Sequence, residues 1–125
     1  MRYLMMIKGN GDYEAGKPPP SGLMAAMGRL AEEMSKAGVL LSTEGLQPSR
    51  NGMKLKHAGG RTSVTDGPFA EAKEVIGGFA IVRAGTKAEA IALAQRVVDV
   101  HVAEGVTDFE MEIRPLYDMN EGCSP

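Results

Sequence analysis

The chain has 125 residues, of which 43% are hydrophobic and 24% are charged, and its formal net charge is −2. This length suits one folded domain with a single core, and the composition excludes an intrinsically disordered protein. A slightly acidic chain has no basic field to hold a phosphate backbone, so we expect no nucleic-acid partner. No apolar run approaches the roughly 20 residues that cross a bilayer, so we expect no membrane partner either.

The N-terminal segment predicts a first strand over residues 2–8, which read RYLMMIK. Its apolar run is shorter than the roughly 7–15 residues of a signal-peptide core, so we expect a cytoplasmic protein. The odd-numbered and even-numbered side chains of this strand are both apolar. Such a strand is typical of a sheet that is covered on both faces.

A first helix is predicted after the Gly/Pro-rich loop 9–22, with Ser21 as its N-cap and Gly38 just past its end. Apolar residues recur at helical spacing, so one face should be buried. These residues are Leu23, Met27, Leu30 and Met34.

A second strand is predicted over 39–46, followed by a hairpin of strands 53–58 and 61–66. Gly59-Gly60 between these two strands is a two-residue hairpin connection. Apolar residues alternate with lysines along 53–58, so the hairpin should be exposed on one side.

A further strand is predicted over 77–84, and a second helix follows it. Thr86 and Glu89 form a capping box at the start of this helix, and Gly105 should end it. The last strand is predicted over 108–116. The predicted buried stripe of the second helix comprises Ile91, Ala94, Val98 and Val102, with Ala90 and Val97 beside it.

This order predicts an α+β fold, a ferredoxin-like β-α-β-β-α-β arrangement with an inserted β-hairpin. One domain should span 1–118, followed by a flexible tail over 119–125. Both helices should cover the same face of an antiparallel sheet, since crossovers are right-handed. The other face is apolar too, which predicts a homodimer with sheet against sheet and a cavity for a small-molecule ligand between the sheets.

Four stretches resemble one family. The run TDGPFAEAKE at 65–74, followed by IGGFAIV, is similar to the signature of the YCII-related, or DGPF (DGPFAETKE), domain proteins. The opening MRYLMMIKG, EGLQP at 44–48 and MEIRPL at 111–116 also resemble the family pattern. Ala72 stands where the signature has threonine, and the second helix lacks the Trp-Ala and Cys-Pro pairs of relatives.

The resemblance implies a dimeric α+β barrel of ferredoxin-like subunits. That fold is similar to the fold of muconolactone isomerases and of small dehalogenating enzymes, which suggests catalysis by analogy only. Some relatives are associated with extracytoplasmic-function sigma factors, which suggests an accessory role instead.

Asp66 is the candidate catalytic residue. Beside the Gly67-Pro68 break it either forms an Asx turn or acts as a proton-transferring carboxylate at the edge of the dimer cavity. Phe69 either anchors the core or forms the wall of a pocket. Lys73 belongs to a short charge run that is either solvated or offers a cation to an anionic ligand.

Two further residues are candidates for substrate binding. Arg114 shares one side of the last strand with Glu110 and Glu112, so it either forms a cross-strand salt bridge or grips a substrate carboxylate. Tyr3 either packs in the core or points its hydroxyl group into the cavity.

No cofactor or metal is expected. The single cysteine, Cys123, can form neither an internal disulfide nor a cysteine-based metal site. His57 and His101 lie on different elements and are interpreted as structural, with His101 favoured near a helix C-terminus.

Two functions stay open, and so does a purely structural dimer with no ligand. In the first, the dimer binds a small organic, carboxylate-bearing ligand and carries out isomerase- or lyase-type proton transfer, with Asp66 as acid or base and Arg114 as anion clamp. In the second, the chain is a non-catalytic accessory module that contacts a sigma factor or senses a ligand.

Overall fold

The computed structural model describes residues 1–69 and 75–118. The predicted tail over 119–125, with Cys123, lies outside the described residues. The elements in chain order are β1 (Arg2–Lys8), α1 (Gly11–Glu14), α2 (Leu23–Lys36), β2 (Leu40–Gly45), a 3-10 turn (Ser49–Asn51), β3 (Met53–Ala58), β4 (Arg61–Asp66), β5 (Ile76–Arg83), α3 (Lys87–Ala103) and β6 (Met111–Pro115).

Four strands form an antiparallel sheet in the order β2-β5-β1-β6, and β3 and β4 form a separate two-stranded sheet. The strand that follows the hairpin thus lies between the two strands that α2 connects. This α+β order is compatible with the ferredoxin-like arrangement that the sequence predicts.

The core lies between the sheet and the helices α2 and α3. Tyr3 and Met5 of β1 are buried on this side, and the register places Val82 of β5 opposite Tyr3. Leu30 and Met34 of α2 pack in the same cluster. The predicted alternation along β1 is confirmed, because the odd-numbered side chains are the ones that face the helices.

The opposite face of the sheet is apolar at its centre. Leu4 pairs with Ile81, and Met6 pairs with Phe79, so the four side chains share the face that points away from the helices. Each of them is half-buried. Lys8 and Glu112 lie at the margin of the same face, with Lys8 Nζ 3.4 Å from Glu112 Oε1.

Helix α2 begins one residue later than the sequence predicts. Gly22 occupies the N-cap position and makes no side-chain hydrogen bond, so the prediction of Ser21 as N-cap is wrong. The backbone N–H of Leu23 instead bonds the carbonyl of Pro20 at 3.0 Å. Gly38 follows the helix with φ of 77°, as predicted.

The capping box of α3 is confirmed. The Thr86 hydroxyl accepts a hydrogen bond from Glu89 N at 3.1 Å. The Glu89 carboxylate accepts from Gly85 N at 2.6 Å, one residue before the cap. The start of α3 is therefore fixed by local hydrogen bonds that the sequence encodes.

The buried stripe of α3 differs from the prediction. Ile91 and Val102 are 50% and 58% exposed, so placing them in the stripe is wrong. The buried residues are Ala90, Ala94, Val97 and His101. Apolar residues occur on all sides of α3, so periodicity alone does not choose the buried face.

His101 has a structural role. Its Nδ1 lies 2.8 Å from the carbonyl oxygen of Val97. Its ring lies 4.0 Å from the ring of Phe109, measured between centroids. His101 therefore joins the end of α3 to the segment that leads into β6.

The hairpin of β3 and β4 projects from the sheet, with all twelve of its residues exposed. Gly59 and Gly60 have φ of 59° and 76°, the two positive values that a type I′ turn requires. Three large apolar side chains on the hairpin are more than half exposed: Met53, Leu55 and Val64.

Helix α1 lies within the predicted loop 9–22. Asn10 caps it by accepting a hydrogen bond from Tyr13 N at 2.8 Å. Among the described residues, no helix has the length and hydrophobicity needed to cross a membrane.

Candidate functional site

A cleft of about 670 Å³ opens between the base of the hairpin and the start of β5. This volume lies within the roughly 300–1,000 Å³ of small-molecule sites. Its apolar lining comprises Leu46, Met53, Phe69, Val75 and Ile76. Its polar lining comprises Gln47, Ser49, Asn51 and Lys54.

Helix α1 holds one wall of the cleft through Tyr13. The Tyr13 hydroxyl is shared between the carbonyl oxygens of Leu46 and Gln47, the latter at 2.8 Å. Burial, with the nearby charge of Glu14, raises the pKa of Tyr13 above its ordinary value. The hydroxyl therefore keeps the proton with which it binds the wall.

Glu14 holds the same wall at the 3-10 turn. Its carboxylate accepts hydrogen bonds from the Ser49 hydroxyl and, at 2.8 Å, from Ser49 N. The hydrogen bond from the Ser49 hydroxyl lowers the pKa of Glu14 below its ordinary value, and the bond from Ser49 N lowers it further. A carboxylate that stays ionised at neutral pH thus orients Ser49.

Ser49 links this wall of the cleft to the facing wall. Its hydroxyl, which donates to Glu14, also accepts a hydrogen bond from Phe69 N at 3.1 Å. Ser49 is only 6% exposed. Because its hydroxyl is buried and bonded on both sides, Ser49 positions Phe69 and is not a nucleophile open to a ligand.

Gly67 lets the chain before Phe69 approach the 3-10 turn. A Cβ atom at residue 67 would lie 1.7 Å from the carbonyl oxygen of Ser49. Gly67 N also donates to the carbonyl of Gly52 at 2.9 Å, which closes the base of the hairpin. The glycine in this segment is therefore required by a backbone contact.

Lys54 reaches the cleft from the hairpin. Its Nζ lies 4.3 Å from the centre of the Phe69 ring, within the range of a cation–π interaction. The side chain is exposed, so the ammonium group is also accessible to solvent. The Lys54 ammonium group therefore lies close to the Phe69 ring that lines the cleft.

Of the residues that the sequence singled out near the signature, Phe69 lines the cleft. Asp66 ends β4 and is exposed, and its carboxylate accepts no hydrogen bond from the residues that the structure describes. Lys73 lies outside the described residues. The predicted catalytic carboxylate is thus adjacent to the cleft in sequence but is not among its lining residues.

Arg114 and Tyr3 do not line the cleft, and the register of β1 and β6 places their side chains on opposite faces of the sheet. Arg114 is exposed on the edge strand β6, with its Nε 3.8 Å from Glu112 Oε2. Tyr3 is buried on the helix side of β1, and its hydroxyl lies 3.4 Å from the sulfur of Met1. Within one chain the structure does not bring Asp66, Arg114 and Tyr3 together.

Comparison with known proteins decides the family. The family model of the YCII-related domain matches residues 1–115. The chain belongs to the YCII-related domain family. It is also 31% identical to an uncharacterized protein of Rhizobium meliloti (strain 1021) over 94 residues, which cover 75% of this chain and 73% of that relative.

In this YCII-related protein the described part of the signature has a clear structural role. Gly67 allows the close backbone approach, and Phe69 forms the wall that Ser49 and Lys54 contact. The described part of the signature therefore reaches the region of the cleft. Its first acidic residue, Asp66, was the expected centre of that region, whereas the lining begins at Phe69.

Sequence reasoning missed Tyr13, Glu14, Ser49 and Lys54. Glu14 and Ser49 are 35 residues apart, and no local pattern links them. The alternation of lysines with apolar residues in β3 was visible, but it did not show which lysine reaches an aromatic ring. Within 1–69 and 75–118, no three His, Cys, Asp or Glu side chains form a cluster that could hold a metal ion.

Proposed function

We propose that this YCII-related protein binds a small organic molecule in the cleft beside the hairpin. The observation that carries the proposal is a cleft of small-molecule size whose two walls are joined through the Glu14–Ser49–Phe69 hydrogen bonds. Walls that are fixed before binding spare the ligand the entropy cost of ordering them. Apolar side chains supply the burial, and a few polar groups supply orientation.

We further propose a homodimer in which a second copy covers the open face of the sheet, as in a dimeric α+β barrel. Four apolar side chains on one face support this proposal: Leu4, Met6, Phe79 and Ile81. In an isologous contact, the same four side chains of both protomers would be buried against each other. The pair of Lys8 and Glu112 would then lie at the edge of the contact.

Isomerase- or lyase-type chemistry is proposed on the same basis, with Asp66 as acid or base and Arg114 as anion clamp. Both side chains are exposed and thus accessible. Because they lie on separate parts of one chain, this chemistry requires that the second copy bring Asp66 of one protomer near Arg114 of the other.

Ligand binding is tested by titrating the isotope-labelled protein with a library of small acids, amines and neutral fragments, and following backbone amide NMR signals. The signals of residues 46–54 and of Phe69 should move with at least one fragment class. A Gly52→Val variant should block binding, because a Cβ there would point toward the Phe69 ring at 3.9 Å.

Gly45→Val is the matched control, since a Cβ at residue 45 meets no atom within 4 Å and Gly45 does not line the cleft. It should bind the same fragments as the unsubstituted protein. Equal binding by Gly52→Val, or no response at 46–54 to any fragment, would remove the cleft as the site.

A second candidate function is favoured by the exposed hairpin. As a non-catalytic accessory module, the protein would contact an extracytoplasmic-function sigma factor through Met53, Leu55 and Val64, which are 61%, 69% and 60% exposed. A Leu55→Asp variant should then lose binding to the purified sigma factor and keep fragment binding in the cleft. Unchanged sigma-factor binding by this variant would exclude the hairpin as the contact.

A further inference from the structure

The charge in the described lining of the cleft is positive. Among the described lining residues, Lys54 is the one that carries a charge, and it is positive. The carboxylate of Glu14, which lies behind the wall, already accepts two hydrogen bonds from Ser49. A ligand that enters the cleft therefore meets a cation and, within the described residues, no anion in the lining.

The remaining polar groups of the lining suit an acceptor on the ligand. The Ser49 hydroxyl is fully engaged with Glu14 and Phe69 N. Asn51 Nδ2 donates to Gln47 Oε1 at 2.9 Å, so the Gln47 amide group keeps its own N–H donors for another partner. Lys54 and Gln47 thus offer donors to a ligand beside apolar walls.

We propose that the cleft selects small organic acids with an apolar body, and that Lys54 is the specificity-determining residue. This inference rests on the proposed ligand-binding function and names the class of its ligand. The carboxylate of the ligand pairs with the Lys54 ammonium, and its apolar body packs against Phe69, Met53 and Ile76. The anion-binding role that the sequence assigned to Arg114 belongs, in this cleft, to Lys54.

The position of Lys54 favours this exchange of partners. Its ammonium lies 4.3 Å from the Phe69 ring centre, held by a weak and exposed interaction. A carboxylate is a stronger partner for an ammonium group than a ring face, because the hydrogen bond is charge-assisted. The flexible lysine stem lets the ammonium follow the ligand without movement of β3.

The experiment compares benzoate with benzamide, which has nearly the same shape but no charge. Each is titrated into the full chain at millimolar concentration, and binding is followed by the amide signals of residues 46–54. Benzoate should bind roughly tenfold more tightly than benzamide. Lys54→Met should abolish this preference, and Lys54→Arg should largely retain it.

Lys56→Met is the matched control, because Lys56 lies two residues along the same strand and outside the cleft lining. It should keep the preference for benzoate. Equal affinity for the two probes, or a preference that survives Lys54→Met, overturns the assignment of an acid while leaving the cleft as a ligand site. A lack of response to both probes overturns the proposed binding function together with this inference.

Discussion

The carbonyl oxygen of Ser49 lies 1.7 Å from the point that a Cβ atom on Gly67 would occupy. The obstructing atoms are backbone atoms of the 3-10 turn, which cannot rotate away as a side chain can. The same turn carries the Ser49 hydroxyl that binds Phe69 N. The conformation of the signature segment is therefore coupled to the wall of the cleft through two residues.

Gly67→Ala should lower the free energy of unfolding by about 2–4 kcal/mol, since one backbone segment must shift to admit the methyl group. Urea denaturation measures the change. Gly45→Ala is the control, because a Cβ there meets no atom within 4 Å, and its effect should be much smaller. Equal stability of the two variants would contradict the close approach.

Glu14→Gln should reduce stability most at neutral pH. The lowered pKa of Glu14 means that the folded state favours the ionised carboxylate, through its bonds from Ser49. This contribution is complete above the ordinary pKa of 4.5 and is lost as the pH falls through the lowered value. The difference between the two proteins in urea midpoint should therefore shrink below about pH 4.5.

The control for this pH dependence is Asp12→Asn on the same helix. Asp12 makes an exposed ion pair with Lys17 at 3.4 Å, so its removal should change stability little at any pH. A midpoint difference for Glu14→Gln that stays constant down to about pH 3 would show that the ionised form is not preferred.

Ile81→Glu should convert a dimer into a monomer. A carboxylate on the open face would be buried without a partner in a sheet-to-sheet contact, which is strongly unfavourable. Sedimentation velocity at micromolar concentration measures the mass. Ile91→Glu places the same charge on the exposed side of α3 and should leave the dimer intact. A monomeric unsubstituted protein would refute the proposed homodimer.

Asp66→Asn should abolish turnover of any substrate found among the small acids, if Asp66 transfers a proton. The substitution is nearly isosteric, and the side chain is exposed, so the urea midpoint and the mass should not change. Steady-state kinetics with the purified variant provides the measurement. Full activity of Asp66→Asn would remove this carboxylate from the mechanism.

Local patterns in the sequence predicted most of the fold. Strand alternation identified the two faces of β1, and Gly59-Gly60 located the hairpin turn because few residues adopt two successive positive φ values. Thr86 and Glu89 marked the start of α3 through a hydrogen bond between near neighbours. In each case the interaction that determines the structure lies within a few residues.

The errors arose where distant residues decide the structure. Helix α1 is four residues long, too short to be stable alone, and contacts from Tyr13 and Glu14 to the segment after β2 hold it. The buried face of α3 includes His101, which packs against Phe109 from the segment before β6. The cleft likewise combines residues from the 3-10 turn, the hairpin and β5.

The exposed tip of the hairpin makes this protein convenient to modify. Cβ atoms at Gly59 and Gly60 would meet no atom within 4 Å. An epitope or a fluorophore joined at this tip through a flexible glycine-rich insert would project into solvent, at the opposite end of the hairpin from Met53 and Asp66, which pair at its base. The tip of the hairpin is therefore a suitable site for attaching a label for immobilisation or imaging without altering the core.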